Sequence, residues 1–328
     1  MIYVSVASFC DPFLEHTLLD AVTKASDPSG LVFGVIDQIP VARQDQLRQI
    51  CQPAKLRYVQ INPVDSRGVC WARSLAFSLY QDESFLLQID SHMLFEPDWD
   101  QQLKAQWAAL NRISNKPILS TYPYGFEFNQ GQARVNITVS PSTTLVLRPQ
   151  PDALLNDKSA TLRFQAEHVF TREPVRGCHV AAGFIFTAGR FIEEIPYDPH
   201  LYFHGEEQNL AIRAFTHGWD IFHPPHIPLF HLYKRPNAEH NSHHWHPDWE
   251  KQRDFKFSQL NALAETRLMD LLYQQRDLGR YSLGTVRTLN DFAQLSGIHY
   301  ALKKIIQPYQ NESYFGTDEA NIWDPNPS

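Results

Sequence analysis

The chain has few cysteines, no long apolar run and a shortage of positive charge, and each scarcity narrows what it can be. Its 328 residues include 4 cysteines, Cys10, Cys51, Cys70 and Cys178, scattered without close Cys/His spacing. A disulfide scaffold or a cysteine zinc site is not expected from that pattern; reduced thiols are. A transmembrane helix needs about 18 consecutive apolar residues, and none occur together. Residues 2–7 read directly as a strand, with no basic region ahead of an apolar signal core. The expectation is a cytoplasmic protein. Lys and Arg number 29 against 36 Asp and Glu, giving a net charge of −7 and a pI near 6.1. That balance argues against nucleic-acid binding through a basic surface, though it leaves room for a local phosphate pocket. Internal repeats and low-complexity segments are also missing.

What is present is enough apolar residue, 43%, for a sizeable core. Apolar runs at 2–7, 31–36, 56–61, 84–89 and 117–121 read as strands. Helices are expected between them. Asp11 and Pro12 can open one, with Leu14, Leu18, Val22 and Ala25 at helical spacing; others fall at 69–80 and 98–111. This alternation predicts an α/β fold with a mostly parallel sheet and helices on both faces. From 122 to 178 the pattern breaks into loops with short antiparallel strands. A strand at 180–187, a helix from Glu207 to His217 ending at Gly218, and a strand at 220–223 follow. A helix from Phe257 to Gln275 has the apolar face Phe257, Leu260, Ala264, Leu268 and Leu271. We therefore expect a catalytic or binding domain over 1–235 and a helical extension packed on it over 236–328. The tail beyond 308 lacks periodicity.

The most informative motif is Asp90-Ser91-His92, directly after the strand 84–89. Side chains two apart on extended backbone point the same way, and strand C-termini are where open α/β sheets bind ligands. A carboxylate and an imidazole so placed begin a divalent-metal site, or are a capping carboxylate beside a surface histidine. Arg67 and Arg73, near a helix start, suit an anion or are an ordinary solvated pair. Ala181, Ala182 and Gly183 leave room either for a ligand or for close packing. Glu206 and Glu207, after Gly205, either cap a helix or place a carboxylate in a cleft. His231-Leu232-Tyr233-Lys234-Arg235 offers a third metal ligand and cations for phosphate, or a structural histidine. His240, His243, His244, Trp245 and His246 lack zinc spacing and read as an aromatic loop at a cleft mouth.

In this order the motifs resemble a GT-A (Rossmann-like) glycosyltransferase. Within that fold the chain resembles the UDP-GlcNAc:polypeptide α-N-acetylglucosaminyltransferase family, over roughly residues 1–300. The resemblance rests on Ser66-Arg67-Gly68 to Arg73, Asp90-Ser91-His92, Phe203-His204-Gly205-Glu206-Glu207, Thr216-His217-Gly218-Trp219, His231-Leu232-Tyr233-Lys234-Arg235, residues 283–289 and Ser296-Gly297-Ile298. It implies Mn²⁺, or Mg²⁺, at Asp90, His92 and His231, His-plus-carboxylate ligation suiting Mn²⁺ better. It implies UDP-GlcNAc as donor, retaining transfer and a hydroxyl acceptor on a peptide or glycan. Arg67, Arg73, Tyr233 and Arg235 would then hold the nucleotide and Asp37 would reach uridine or ribose. The sugar would lie near Gly183, with Glu206 or Glu207 on its hydroxyls or the acceptor. Two rivals stand beside this: a metal-dependent nucleotide-sugar hydrolase or pyrophosphatase, and a non-catalytic nucleotide-sugar or glycan-binding protein.

Overall fold

The computed structural model describes residues 1–129, 132–135, 143–233 and 243–306. In chain order the strands are β1 (Ile2–Phe9), β2 (Leu31–Gln38), β3 (Lys55–Ile61), β4 (Phe85–Ile89), β5 (Met93–Phe95), β6 (Pro117–Leu119) and β7 (Tyr124–Asn129). They continue with β8 (Gln132–Val135), β9 (Thr143–Pro149), β10 (Phe164–Phe170), β11 (Val175–Gly177), β12 (Phe184–Ala188), β13 (Asp220–His223) and β14 (Leu229–His231). The helices that matter below are α1 (Leu14–Lys24), α2 (Gln44–Cys51), α3 (Val69–Phe77), α4 (Trp99–Leu110), α5 (Phe191–Glu194), α6 (Glu206–Thr216), α7 (Pro247–Gln252), α8 (Phe257–Leu272) and α9 (Leu289–Ser296).

Eight strands build the central sheet in the order β11-β13-β6-β12-β4-β1-β2-β3. β1 pairs in parallel with β2 and β4, β2 with β3, and β6 with β13. β12 runs antiparallel to both β4 and β6, and β11 antiparallel to β13, so the parallel half gives way to a mixed half. Every residue of β2 is buried, as expected of a strand covered on both faces. One apolar cluster joins β1, β2 and β4 to α1 and α4; a second, on different residues of the same strands, meets α3, α5 and α6.

Several expected elements are shorter or differently ended. The strand expected at 180–187 begins at Phe184, because residues 180–183 turn ahead of it, closed by an Ala181–Phe184 bridge. Helix α1 is capped by Phe13, not Asp11; the Asp11 carboxylate instead accepts from the Phe13 N–H at 2.9 Å. α2 was not anticipated, since it buries just Leu47 and Cys51, too few for a visible period. The irregular stretch holds the antiparallel pairs β7–β8 and β9–β10. α8 buries Leu268 and Leu271 of its expected face against Ile212 and Phe215 of α6 and Phe292 of α9, and Ala264 in the cluster that holds Leu210, Ala211 and Ala214 of α6, while Phe257 stays exposed. Among the described residues no helix is long and apolar enough to cross a membrane, and all four cysteines are free thiols.

Candidate functional site

The chain turns at Asp90-Ser91-His92 because β4 ends at Ile89 and β5 leaves to pair elsewhere. β5 runs antiparallel to β14, in a register that sets His231 opposite Met93. The Leu232 N–H donates to the His92 carbonyl at 3.1 Å and extends that pairing. Residues 139 apart in sequence thus meet: His92 Nε2 lies 3.0 Å from His231 Nε2, and His231 Nε2 lies 3.2 Å from Asp90 Oδ2. One ligand atom from each of the three falls within 4.8 Å of the others, the sole such cluster among the described residues.

Asp90 and His92 are held from behind. The Asp11 carboxylate lies 2.7 Å from His92 Nδ1 and accepts from Ser91 Oγ at 2.7 Å. Arg73, on α3, donates to Asp90 Oδ1 at 2.6 Å and to Glu206 Oε1 at 2.5 Å. Burial would raise the Asp90 carboxyl, but the hydrogen bond from His231 and the Arg73 guanidinium hold it well below the usual carboxylate range. Burial depresses His92 although Asp11 and Asp90 pull the other way. Burial also raises Glu206, against the opposing pull of Arg73.

The donor set suits a divalent cation of intermediate softness. Two imidazole nitrogens facing each other at 3.0 Å share room for one proton at most, and a carboxylate oxygen closes on the same point. The Nδ1 of His231 is buried and has no hydrogen-bond partner among the described residues, so the ring is not anchored by a hydrogen bond on its outer side. The three residues fit the Asp/His metal site expected from the sequence.

They stand in a cleft of about 840 Å³. Strand ends contribute Ala7, Phe9, Gln38 and Asp90; Gly68 and Val69 come from the start of α3. Gly68 has φ +101°, and a Cβ there would meet the Tyr202 ring at 2.6 Å, so the position requires glycine. Phe203, His204, Tyr233, His243 and Trp245 give the cleft an aromatic wall.

The other anticipated residues divide. Tyr233 lines the cleft, its ring centroid 4.2 Å from that of His231 and its hydroxyl donating to the Pro123 carbonyl. Gly183 is at the site, but the room it leaves is filled by Asp90: a Cβ there would lie 2.5 Å from Oδ2. Arg73 is buried between two carboxylates, which places it behind Asp90 rather than open to a nucleotide. Arg67 points away from the cleft; its guanidinium stacks on Phe255 and lines a separate groove. Asp37 is fully buried, bound to Arg43 Nε at 2.8 Å and to the Tyr58 hydroxyl at 3.1 Å. Its neighbour Gln38 faces the cleft instead, a one-residue change of strand face. Glu206 is buried in the Arg73 pair. Glu207 accepts from the Ala182 N–H at 2.7 Å and the Tyr122 hydroxyl at 2.9 Å. Arg235, with Lys234 and His240, lies outside the described residues.

The loop histidines have other partners. His244 Nε2 lies 2.9 Å from the Ser66 carbonyl and its Nδ1 2.6 Å from the Tyr202 hydroxyl; His246 caps α7. The residue that sequence reasoning missed is Asp11, read as a helix cap; its spacing from the next helix offered no sign that it reaches across to His92.

No curated protein matches the chain in sequence. In structure it is similar to GalNAc-T7 with UDP, GalNAc and Mn²⁺, at 13% identity and a TM-score of 0.58, over 90% of this chain and 54% of that one. The chain thus spans about half the length of that protein, and the likeness is one of fold: the GT-A arrangement. It also aligns with S. aureus TarS 1–349, at 14% identity and a TM-score of 0.43 over 70% of this chain and 60% of that one. The TarS 1–349 complex with UDP-GlcNAc aligns at 13% identity and a TM-score of 0.42, over 82% and 72% respectively. The family model described as glycosyltransferase (GlcNAc) matches residues 39–301. Since that match takes in α2 to α9, including Asp90, His92 and His231, the chain belongs to the glycosyltransferase (GlcNAc) family.

Proposed function

We propose that the protein is a cation-dependent, retaining glycosyltransferase that moves N-acetylglucosamine from UDP-GlcNAc to a hydroxyl on a peptide or glycan. The observation that carries this reading is the convergence of Asp90, His92 and His231 in a cleft at the strand ends. Asp90, His92 and His231 would hold the ion, Mn²⁺ fitting the mixed N/O donor set better than Mg²⁺. A bound cation supplies the positive charge that stabilises a departing diphosphate. Phe9, Gln38 and Gly68 would bind the nucleoside, in place of Asp37 and Arg67. Residues 1–235 would form the catalytic unit and 236–328 the extension packed on it.

Neither Glu206 nor Glu207 is placed as an attacking carboxylate: the first is buried against Arg73, the second accepts from Ala182 and Tyr122. That supports same-face transfer over a covalent double displacement. The bond from C1 to the phosphate oxygen breaks, the bond to the acceptor oxygen forms on the same face, and the leaving phosphate takes the acceptor's proton.

Release of UDP from UDP-GlcNAc, UDP-GalNAc, UDP-Glc and UDP-Gal, with and without Mn²⁺ and with a panel of hydroxyl acceptors, tests this. Mn²⁺-dependent release preferring UDP-GlcNAc is expected. Preference for a donor without the N-acetyl group overturns the sugar. Sugar phosphate as product points to a pyrophosphatase, and tight UDP binding without turnover to a binding protein.

A further inference from the structure

We propose that Asp11 is the positioning residue of the cation site: it fixes the His92 imidazole in the form that presents an unprotonated Nε2 to Asp90 and His231. The proposal rests on reading that cluster as a cation site. Asp11 comes from the loop after β1, far from the D-x-H turn in sequence, and its side chain is buried, 2% exposed. One carboxylate oxygen accepts from the Phe13 N–H at 2.9 Å, which fixes the side chain against its own backbone. The other lies 2.7 Å from both Ser91 Oγ and His92 Nδ1.

An ionised carboxylate accepts hydrogen bonds and donates none. Nδ1 of His92 must therefore carry the proton in the contact with Asp11. In a neutral ring the remaining nitrogen, Nε2, is then a lone-pair donor, and it is Nε2 that faces His231 and Asp90. The Ser91 hydroxyl donates to the same oxygen, so the carboxylate is restrained from two sides before the ring is. Carboxylate–histidine pairs of this kind orient metal ligands and raise their basicity, and losing the outer partner weakens metal binding by roughly 10–100-fold. His231 has no counterpart: its Nδ1 lacks a partner among the described residues. His92 is thus the anchored imidazole, and Asp11 is what anchors it.

Two readouts test this without relying on catalysis. Long-range ¹H–¹⁵N spectra of histidine-labelled protein, with the His92 signals assigned by their loss in His92→Gln, report which ring nitrogen carries the proton. Electron paramagnetic resonance of free Mn²⁺ reports affinity. The wild-type protein is expected to show His92 protonated on Nδ1. Asp11→Ala is expected to lose that signature and roughly 10–100-fold in Mn²⁺ affinity, while Ser91→Ala, which leaves the carboxylate on the ring, keeps both near wild type. If Asp11→Ala does not fold, Asp11→Asn decides, because its amide has one oxygen to offer three donors and must weaken the His92 contact or the Phe13 contact. An unchanged tautomer, or unchanged Mn²⁺ affinity in the folded variant, overturns the assignment of Asp11. Failure of the wild-type protein itself to bind Mn²⁺, with or without UDP, overturns the cation reading and the proposal with it.

Discussion

Gly183 and Asp90 share one small volume: a Cβ on Gly183 would sit 2.5 Å from the Asp90 Oδ2. The φ of Gly183 is not in the left-handed region, so alanine is excluded by the carboxylate and not by the backbone. Gly183→Ala should therefore leave the fold standing and push Asp90 off its position. Mn²⁺ affinity is expected to fall roughly tenfold, as for other disturbances just outside a ligand set, with a melting temperature close to wild type. Calorimetry giving wild-type Mn²⁺ affinity in Gly183→Ala would show that Asp90 does not need that volume.

Arg73 ties the site to α6. Its side chain and that of Glu206 are about 95% buried, at 5% and 4% exposure. Removing the cation leaves Glu206 as a buried, unpaired carboxylate. Arg73→Met is expected to cost about 3–5 kcal/mol of stability in denaturant titration. Adding Glu206→Gln to it should recover at least about 1 kcal/mol, since the uncompensated charge goes too. Equal losses in the single and double variants would mean that packing, not charge pairing, sets the cost.

The sequence carried the D-x-H turn well because two constraints met there: an apolar strand before it and a spacing that sends both side chains one way. It carried β1, β2 and β4 for the same reason, since buried parallel strands are near-continuous apolar runs. It could not carry what depends on pairing across distance. His231 joins the site through the β5–β14 register, Asp11 through a loop contact, and neither leaves a local period. Strand parity separates Asp37, bound to Arg43 inside the fold, from Gln38 one residue further along β2, which lines the cleft. Arg67 and Arg73, read as a pair, are separated by the helix start between them, one stacked on Phe255 and the other buried under Asp90.

The loop histidines provide a contrast with His231. His243 lies against the Trp245 ring at 5.0 Å between centroids, and His246 accepts from the Asp248 N–H at its helix start. Neither falls within the Asp90 cluster. His231→Ala should abolish or severely weaken Mn²⁺ binding, whereas His243→Ala and His246→Ala should bind Mn²⁺ as the wild type does. A larger loss in either loop variant than in His231→Ala would transfer the third ligand to the loop.

His223 sets a pH dependence of stability that is independent of the site. It is fully buried on β13, its Nδ1 donating to the Ser120 carbonyl at 2.6 Å and its Nε2 accepting from the Leu147 N–H at 3.4 Å. A Cβ at Gly177 would fall 2.1 Å from that Nε2, so the strand beside it has no side chain in the way. Burial lowers the imidazole from 6.5 to about 4. Between those values the unfolded chain binds a proton that the folded chain refuses, so stability rises with pH across that window. The contribution is complete above about pH 6.5 and is lost as pH falls toward 4. From pH 7.5 to pH 5 the expected loss from this residue is about 2 kcal/mol. His223→Gln keeps a donor and an acceptor but does not titrate. Denaturant titrations at both pH values should show the variant less stable than wild type at pH 7.5, with a pH-dependent loss smaller by about that amount. Equal losses in the two proteins would mean that His223 takes up no proton on unfolding in that window.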